Sequence, residues 1–276
     1  MKPAYNNIFQ PVFVWLIFVA GALASCQKVI DVDVRNAEKK FVVEAIVNDQ
    51  RGKSIVRLST TKNVSESNEF PGVSGALVVV RDDAGNDYPF TETTPGNYTD
   101  TTFTGQTGKT YSLEVKIDGN TFTAQSTMPQ KINLDTLYIT DEVLFGESRK
   151  LANIAYRDPL GRGNFYRYIQ YINDKKSKQI FTNSDDYTDG KYVDTKLWYI
   201  VDDDDDEDEK IKSGDTVSVE MQCIDDAVHK YWFSVYQSAT GNSQSASPAN
   251  PVTNISGGAL GYFSAHTMQK RSVVTP

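Results

Sequence analysis

The sequence predicts a mainly β chain that closes with one packed helix. Three observations predict it. Between residues 40 and 128, apolar and polar residues alternate in short runs divided by turn residues, the period-two signature of half-buried strands. Tyr and Phe are plentiful, at 15 and 13, and together with frequent Thr and Val they favour sheet. From Asp226 the apolar spacing changes to the helical one.

Residues 1–25 read as a lipoprotein signal peptide, set apart from the fold. Lys2 supplies the positive start. Residues 12–24 are continuously apolar or Gly. That suits a signal-peptide core and falls short of the roughly 20 residues of a membrane span. Leu23-Ala24-Ser25-Cys26 then reads as a lipobox: small residues let a peptidase close on the backbone, and the cysteine sulfur takes a diacylglycerol. Cys26 is therefore the expected lipidation site, with a further palmitate-class chain on its freed amine. Each buried acyl methylene is worth about 0.8 kcal/mol, so three chains anchor stably without a spanning helix. Residues 26–39 follow as an anchor linker. Within them Gln27-Lys28, Asp31 and Asp33 partly resemble a surface-export signal, from which Val29 and Ile30 depart. An outer-membrane lipoprotein is expected, at the cell surface rather than the periplasmic face.

Residues 40–129 are expected to form the first domain. "KFVVEAIV" places Phe41, Val43, Ala45 and Val47 on one face, and "TYSLEVKI" does the same with Tyr111, Leu113, Val115 and Ile117. Between and after them lie "SIVRLS", "GALVVVRD", "YPFTE" and "TFTAQSTM", with "TPGNY" a Pro-Gly turn. Asp118-Gly119-Asn120 is a strong hairpin signal, because tight hairpins need positive φ at the turn. Short strands at this spacing describe an antiparallel β-sandwich of immunoglobulin- or transthyretin-like type.

Pro129 closes that block, and residues 130–276 are expected to form a β-rich second domain. Its runs are "LDTLYIT", "KLANIAYRD" and "NFYRYIQYIND", then a polar loop from Asn183 to Asp194, then "KLWYIVD" and "TVSVEMQCID". Val228, Tyr231, Trp232, Val235 and Ala239 then mark an amphipathic helix at about 226–239, with Asp225 or Asp226 as its N-cap.

The formal charge is −8, and the eight carboxylates of residues 202–209 account for all of it. The rest of the chain is balanced and offers no basic stripe, which argues against nucleic-acid binding. With Cys26 acylated, only Cys223 remains, so no disulfide can form; Cys223 is expected as a buried apolar residue.

Few residues suggest chemistry. The glycines of "NISGGALGYF" lack the Lys of a phosphate loop and read as a close backbone approach. His229 falls on the polar side of the helix and His266 in the C-terminal tail, neither with a partner at metal spacing. No Gly-x-Ser-x-Gly elbow occurs, so no catalytic residue is assigned and no enzyme is expected. Asp185, Asp189 and Gly190 fall at positions 1, 5 and 6 of a calcium loop, but Tyr187 at position 3 and Lys196 at position 12 depart from it, leaving a solvated loop. Asp202, Asp203, Asp204, Asp205, Asp206, Glu207, Asp208 and Glu209 repel one another and are expected as a solvated loop tip, with low-affinity divalent-ion binding the lesser reading. No cofactor is expected beyond the covalent lipid. The candidate ligand or partner contacts are aromatic: Tyr166, Tyr187, Tyr192, Trp198 and Tyr199 in the loop-rich middle of the second half, and Tyr262 and Phe263 near its end.

The lipobox, the opening "FVVEAIV", Gly96-x-Tyr98, the run from Gly108 to Leu113, and the closing Asn254, Ile255, Gly257, Gly258, Gly261 and Phe263 together resemble domain-of-unknown-function family 4249. The resemblance spans the mature chain. It implies an outer-membrane lipoprotein, often encoded beside a TonB-dependent transporter, and supplies no catalytic residue. The expected function is a non-enzymatic accessory of such a transporter, capturing a ligand or docking. The second domain would bind and the sandwich would act as a spacer from the membrane. The alternative is a structural or adhesive surface component without a small-molecule ligand.

Overall fold

The two ends of the folded chain meet on one pair of strands. β1 (Phe41–Asn48) and β15 (Leu260–Val274) run in parallel, with Val42 opposite Leu260 and Asn48 opposite His266. The computed structural model describes residues 38–63, 70–144, 146–199, 209–239 and 250–276. The lipobox and Cys26 lie outside them, as does the acidic run up to residue 208.

The first half holds seven strands, and "TPGNY", which reads as a turn, contributes to one of them, Asn97–Thr99. The seven are β1, β2 (Ile55–Thr60), β3 (Leu77–Asp82), β4 (Asp87–Thr94), β5 (Asn97–Thr99), β6 (Thr110–Ile117) and β7 (Asn120–Thr127). Alternation sends Val43, Val56, Leu58, Val78, Val80, Leu113, Val115 and Phe122 into one core, which makes this half a sandwich. Asp118 and Gly119 take φ of +47° and +76°, the paired positive values of a two-residue hairpin turn between β6 and β7.

The second half adds β8 (Leu134–Leu144), β9 (Glu147–Arg157), β10 (Phe165–Ile172), β11 (Lys175–Lys176), β12 (Phe181–Ser184), β13 (Tyr192–Lys196), β14 (Thr216–Ile224), the helix α1 (Asp226–Ala239) and β15. β13, β9 and β8 form a separate sheet. Leu134, Ile154 and Tyr156 from that sheet pack on Tyr166, Val219, Met221 and Cys223 of β10 and β14. Cys223 is buried and free, as expected. Asp225 caps α1, its Oδ1 accepting from Val228 N at 2.9 Å. Among the described residues no helix is long and apolar enough to cross a membrane.

The boundary expected between residues 129 and 130 does not divide two bodies. Glu38–Pro276 form one compact unit. β15 explains why. Its first half pairs with β1 and places Phe263 and Ala265 in the sandwich core; its second half pairs with β14, and Val273 packs on the other core. One sheet therefore runs β11-β10-β14-β15-β1-β2-β5-β4-β3-β6-β7 through both halves. The close approach needs glycine. Gly261 sits at φ +100°, and a β-carbon there would lie 2.0 Å from the Val43 carbonyl oxygen.

Candidate functional site

With one face of the β10-β14-β15-β1-β2 sheet packed on the two cores, alternation fixes what the other face carries. β1 sends out Glu44, Ile46 and Asn48, and β2 sends out Ile55 and Arg57. β15 contributes Tyr262, Ser264, His266, Met268 and Lys270, while β14 and β10 supply Glu220, Gln222 and Arg167. Pairing puts Glu44 beside both Arg57 and Tyr262, Arg167 beside Gln222, and Glu220 beside Lys270.

The floor of this face is polar and buried. Arg167 Nη1 donates to Gln222 Oε1 at 3.3 Å, and Gln222 Nε2 donates to Glu220 Oε1 at 2.6 Å. Tyr171 OH donates to Glu220 Oε2 at 3.4 Å, and Lys270 Nζ stands 4.2 Å from the Tyr171 ring centroid. Burial lowers the Arg167 pKa, but a guanidinium keeps its proton. His266 is 2% exposed and shares a 2.9 Å hydrogen bond with Ser264 Oγ through Nδ1. Burial first, and then the charge of Arg167, push its pKa down to about 3, so it is neutral.

The rim is cationic. Arg51, Lys53, Arg57, Lys131 and Lys270 are exposed around an open cleft of about 980 Å³, whose lining includes Glu220, Gln222 and His266. Of these cations, Lys131 is paired with Asp49 at 2.9 Å, and Lys270 stands 4.0 Å from Asp174. Helix α1 covers one end of the same face. Tyr231 and Trp232 pack on Tyr262 with centroids 4.7 Å and 5.2 Å apart.

The aromatic candidates divide. Tyr166, Tyr199, Tyr262 and Phe263 are buried, which overturns their assignment as contacts. Tyr166 donates to Asp158 inside the second core, Tyr262 lies under α1, and Phe263 belongs to the sandwich core. Tyr187 (88% exposed), Tyr192 and Trp198 are the exposed ones. Arg157 sits 5.8 Å from the Tyr192 ring, and Lys196 sits 5.6 Å from the Trp198 ring. Trp198 also lines a cleft of about 300 Å³ with Phe181, Phe233 and Tyr236.

Other expectations also shift. His229 is not on the polar side of α1 but is stacked on Phe165 at 4.9 Å, and burial lowers its pKa. His266 lies in a central strand rather than a tail. Glu209 is not part of a solvated tip: it is buried, and its Oε2 accepts from Ser177 Oγ at 2.5 Å and Lys178 N at 3.2 Å. Asp202 to Asp208 lie outside the described residues. The calcium-like loop brings Asp185 and Asp189 together with a third carboxylate, Asp158, one oxygen of each within 4.8 Å of the others.

Sequence reasoning missed the cleft floor, although a signal was present. "FYRYIQYI" and "VSVEMQC" carry Arg167, Glu220 and Gln222 inside otherwise apolar or aromatic strands. Charged residues embedded in strand-forming runs point to a polar sheet face.

A family model described as "Domain of unknown function (DUF4249)" matches residues 27–272. No curated protein matches significantly. Among solved structures, a two-domain fibronectin type III segment from chicken tenascin is 12% identical and matches 67% of this chain and 91% of its own, with a TM-score of 0.22. A score that low bears on neither layout nor function.

Proposed function

The chain belongs to this family of unknown function, and we propose that it is an outer-membrane, surface-exposed lipoprotein that captures an anionic ligand without chemistry for a TonB-dependent transporter. The observation that carries the reading is the cleft of about 980 Å³, with its exposed cationic rim and buried polar floor. A concave site with convergent polar groups is where a small ligand binds, and a rim of one sign draws in the opposite one. The lipobox at Cys26 supports membrane anchoring, and the resemblance noted above supports the transporter as partner.

The non-enzymatic part rests on the state of the cleft's polar groups. Ser264 and His266 look like a nucleophile and base, but both are buried, and a histidine with a pKa near 3 takes protons poorly at neutral pH. Glu220 already accepts from Gln222 and Tyr171.

The test is purification of the tagged full-length protein from native membranes, with co-purifying proteins and small molecules identified. A transporter and an anionic small molecule are expected. The Arg57→Glu, Lys270→Glu variant should lose the small molecule. Recovery of neither from the wild type would overturn this reading and favour the structural or adhesive one. Labelling with a clickable fatty acid should mark the wild type and spare Cys26→Ala.

A further inference from the structure

The turn that carries Asp185, Asp189 and the exposed Tyr187 contributes no residue to the cationic cleft. Asp158 follows β9 directly and is succeeded by Pro159, which has no N–H to offer. The loop of residues 158–164 is laced to that of residues 185–191. Gly163 N and Asn164 N donate to the two Asp185 oxygens at 3.1 and 3.0 Å, Gly161 N donates to Asp189 Oδ1 at 2.7 Å, and Gly190 N donates to Pro159 O at 3.2 Å. These bonds hold the carboxylates close, one oxygen of each within 4.8 Å of the others, with Asp158 and Asp185 each 1% exposed.

A second observation points to a ligand. Asp158 Oδ1 accepts from Tyr166 OH, but Asp158 Oδ2 is wholly buried with no hydrogen-bond partner. Thr188 Oγ1, in the same turn, is also buried and unpartnered. Among the described residues, no Lys or Arg forms an ion pair with Asp158, Asp185 or Asp189. A buried carboxylate oxygen without a partner is costly, and neighbouring carboxylates without a cation add repulsion.

We propose that Asp158, Asp185 and Asp189 hold a calcium ion that pins the two loops together. The donors are oxygens, without the nitrogen or sulfur that would favour zinc or copper. Two oxygens on opposite sides of a calcium ion, each about 2.3–2.6 Å from it, are about 4.6–5.2 Å apart, so oxygens no more than 4.8 Å apart can share one. A cleft whose lining includes Arg157, Asp158, Pro159 and Gly190 opens beside the cluster. The linear calcium-loop pattern fails at its third and twelfth positions, and the structure brings Asp158 in from the end of another strand.

The experiment is thermal denaturation of the full mature chain, stripped with chelator and then titrated with calcium chloride or magnesium chloride. Calcium in large excess over its dissociation constant should raise the midpoint by about 5–10 °C, and magnesium by much less. Asp158→Asn and Asp189→Asn should each abolish the calcium-dependent rise. Comparing each variant with and without calcium separates this from any change in intrinsic stability. Replacing residues 202–208 with Ser and Gly should leave the rise intact. No rise in the wild type, a full rise in either Asn variant, an equal rise with magnesium, or loss of the rise on replacing the acidic run would each overturn the assignment.

Discussion

The guanidinium carbon of Arg167 lies 3.4 Å from the centroid of the Trp232 ring. One residue is on β10 and the other on α1, so this contact fixes the helix over the polar sheet face. The planar cation stacks on the indole and still donates to Gln222.

Arg167→Lys should therefore be costly despite keeping the charge. An ammonium cannot both stack and reach Gln222, and it is more strongly hydrated. The expected loss is about 1–2 kcal/mol in urea denaturation. Trp232→Leu should cost about 2–3 kcal/mol, since it removes the platform and the packing on Tyr262. A double-mutant cycle should show coupling between the two. Strictly additive losses would mean that the stack contributes nothing.

Gly261→Ala tests the parallel pair. A β-carbon 2.0 Å from the Val43 carbonyl oxygen must push β1 and β15 apart, and φ of +100° is strained for alanine in any case. A loss of about 3 kcal/mol or more is expected. Gly119→Ala is the control: its φ is also positive, but nothing lies within 4 Å of the added carbon. That variant should lose only about 1 kcal/mol. Equal losses in the two would refute the steric argument.

These sites show what was legible in the sequence. The strands of the first half were readable because one face of each is buried, so the period-two pattern is clean. Helix α1 was readable from its 3.6 spacing and from Asp225. The pairing of β1 with β15 was not, because periodicity says which face is buried and not which strand lies alongside. The two-domain expectation failed for that reason. The aromatic candidates failed at Tyr166 and Tyr262 because a tyrosine hydroxyl can be satisfied inside, by Asp158 for the former, and the ring then packs as core. The carboxylate cluster was half legible: Asp185 and Asp189 share a turn, while Asp158 arrives through tertiary structure.

His266 sets a pH dependence. Its folded pKa, about 3, lies below the ordinary 6.5, so between those values the unfolded chain binds the extra proton. The stability it contributes is present above about pH 6.5 and is lost as pH falls toward 3. The slope is about 1.4 kcal/mol per pH unit, or about 2 kcal/mol between pH 7 and pH 5. Arg167 opposes protonation and Asp49 favours it, with burial the larger effect. His229 shifts in the same direction for the same reason. Urea denaturation at the two pH values should show His266→Gln losing about 2 kcal/mol less than the wild type on acidification. Carboxylates and His229 are common to both proteins and cancel, so an unchanged pH slope would sink the assignment.

Dividing the chain tests how the halves depend on each other. A fragment of residues 27–128 keeps β1 to β7 but loses Phe263 and Ala265 from its core, together with the parallel partner of β1. Phe263 is fully buried, and a side chain of that kind contributes about 2–3 kcal/mol by burial alone. The fragment also exposes the β1 edge and orphans Ser126. In the whole chain Ser126 Oγ donates to Asp225 Oδ2 at 2.6 Å and accepts from Ala265 N at 2.8 Å. The complementary fragment, residues 129–276, keeps the second core but leaves Phe263, Ala259 and Ile255 with nothing to pack on. Neither fragment should unfold cooperatively by itself, and the two mixed or co-expressed should recover a single transition at native yield. Asp225→Ala in the intact chain should cost about 2–3 kcal/mol, because it removes the helix cap and the bond to Ser126 together. If residues 27–128 alone give a sharp thermal transition, the sandwich is self-sufficient. β15 would then be an addition to it rather than a part of its core.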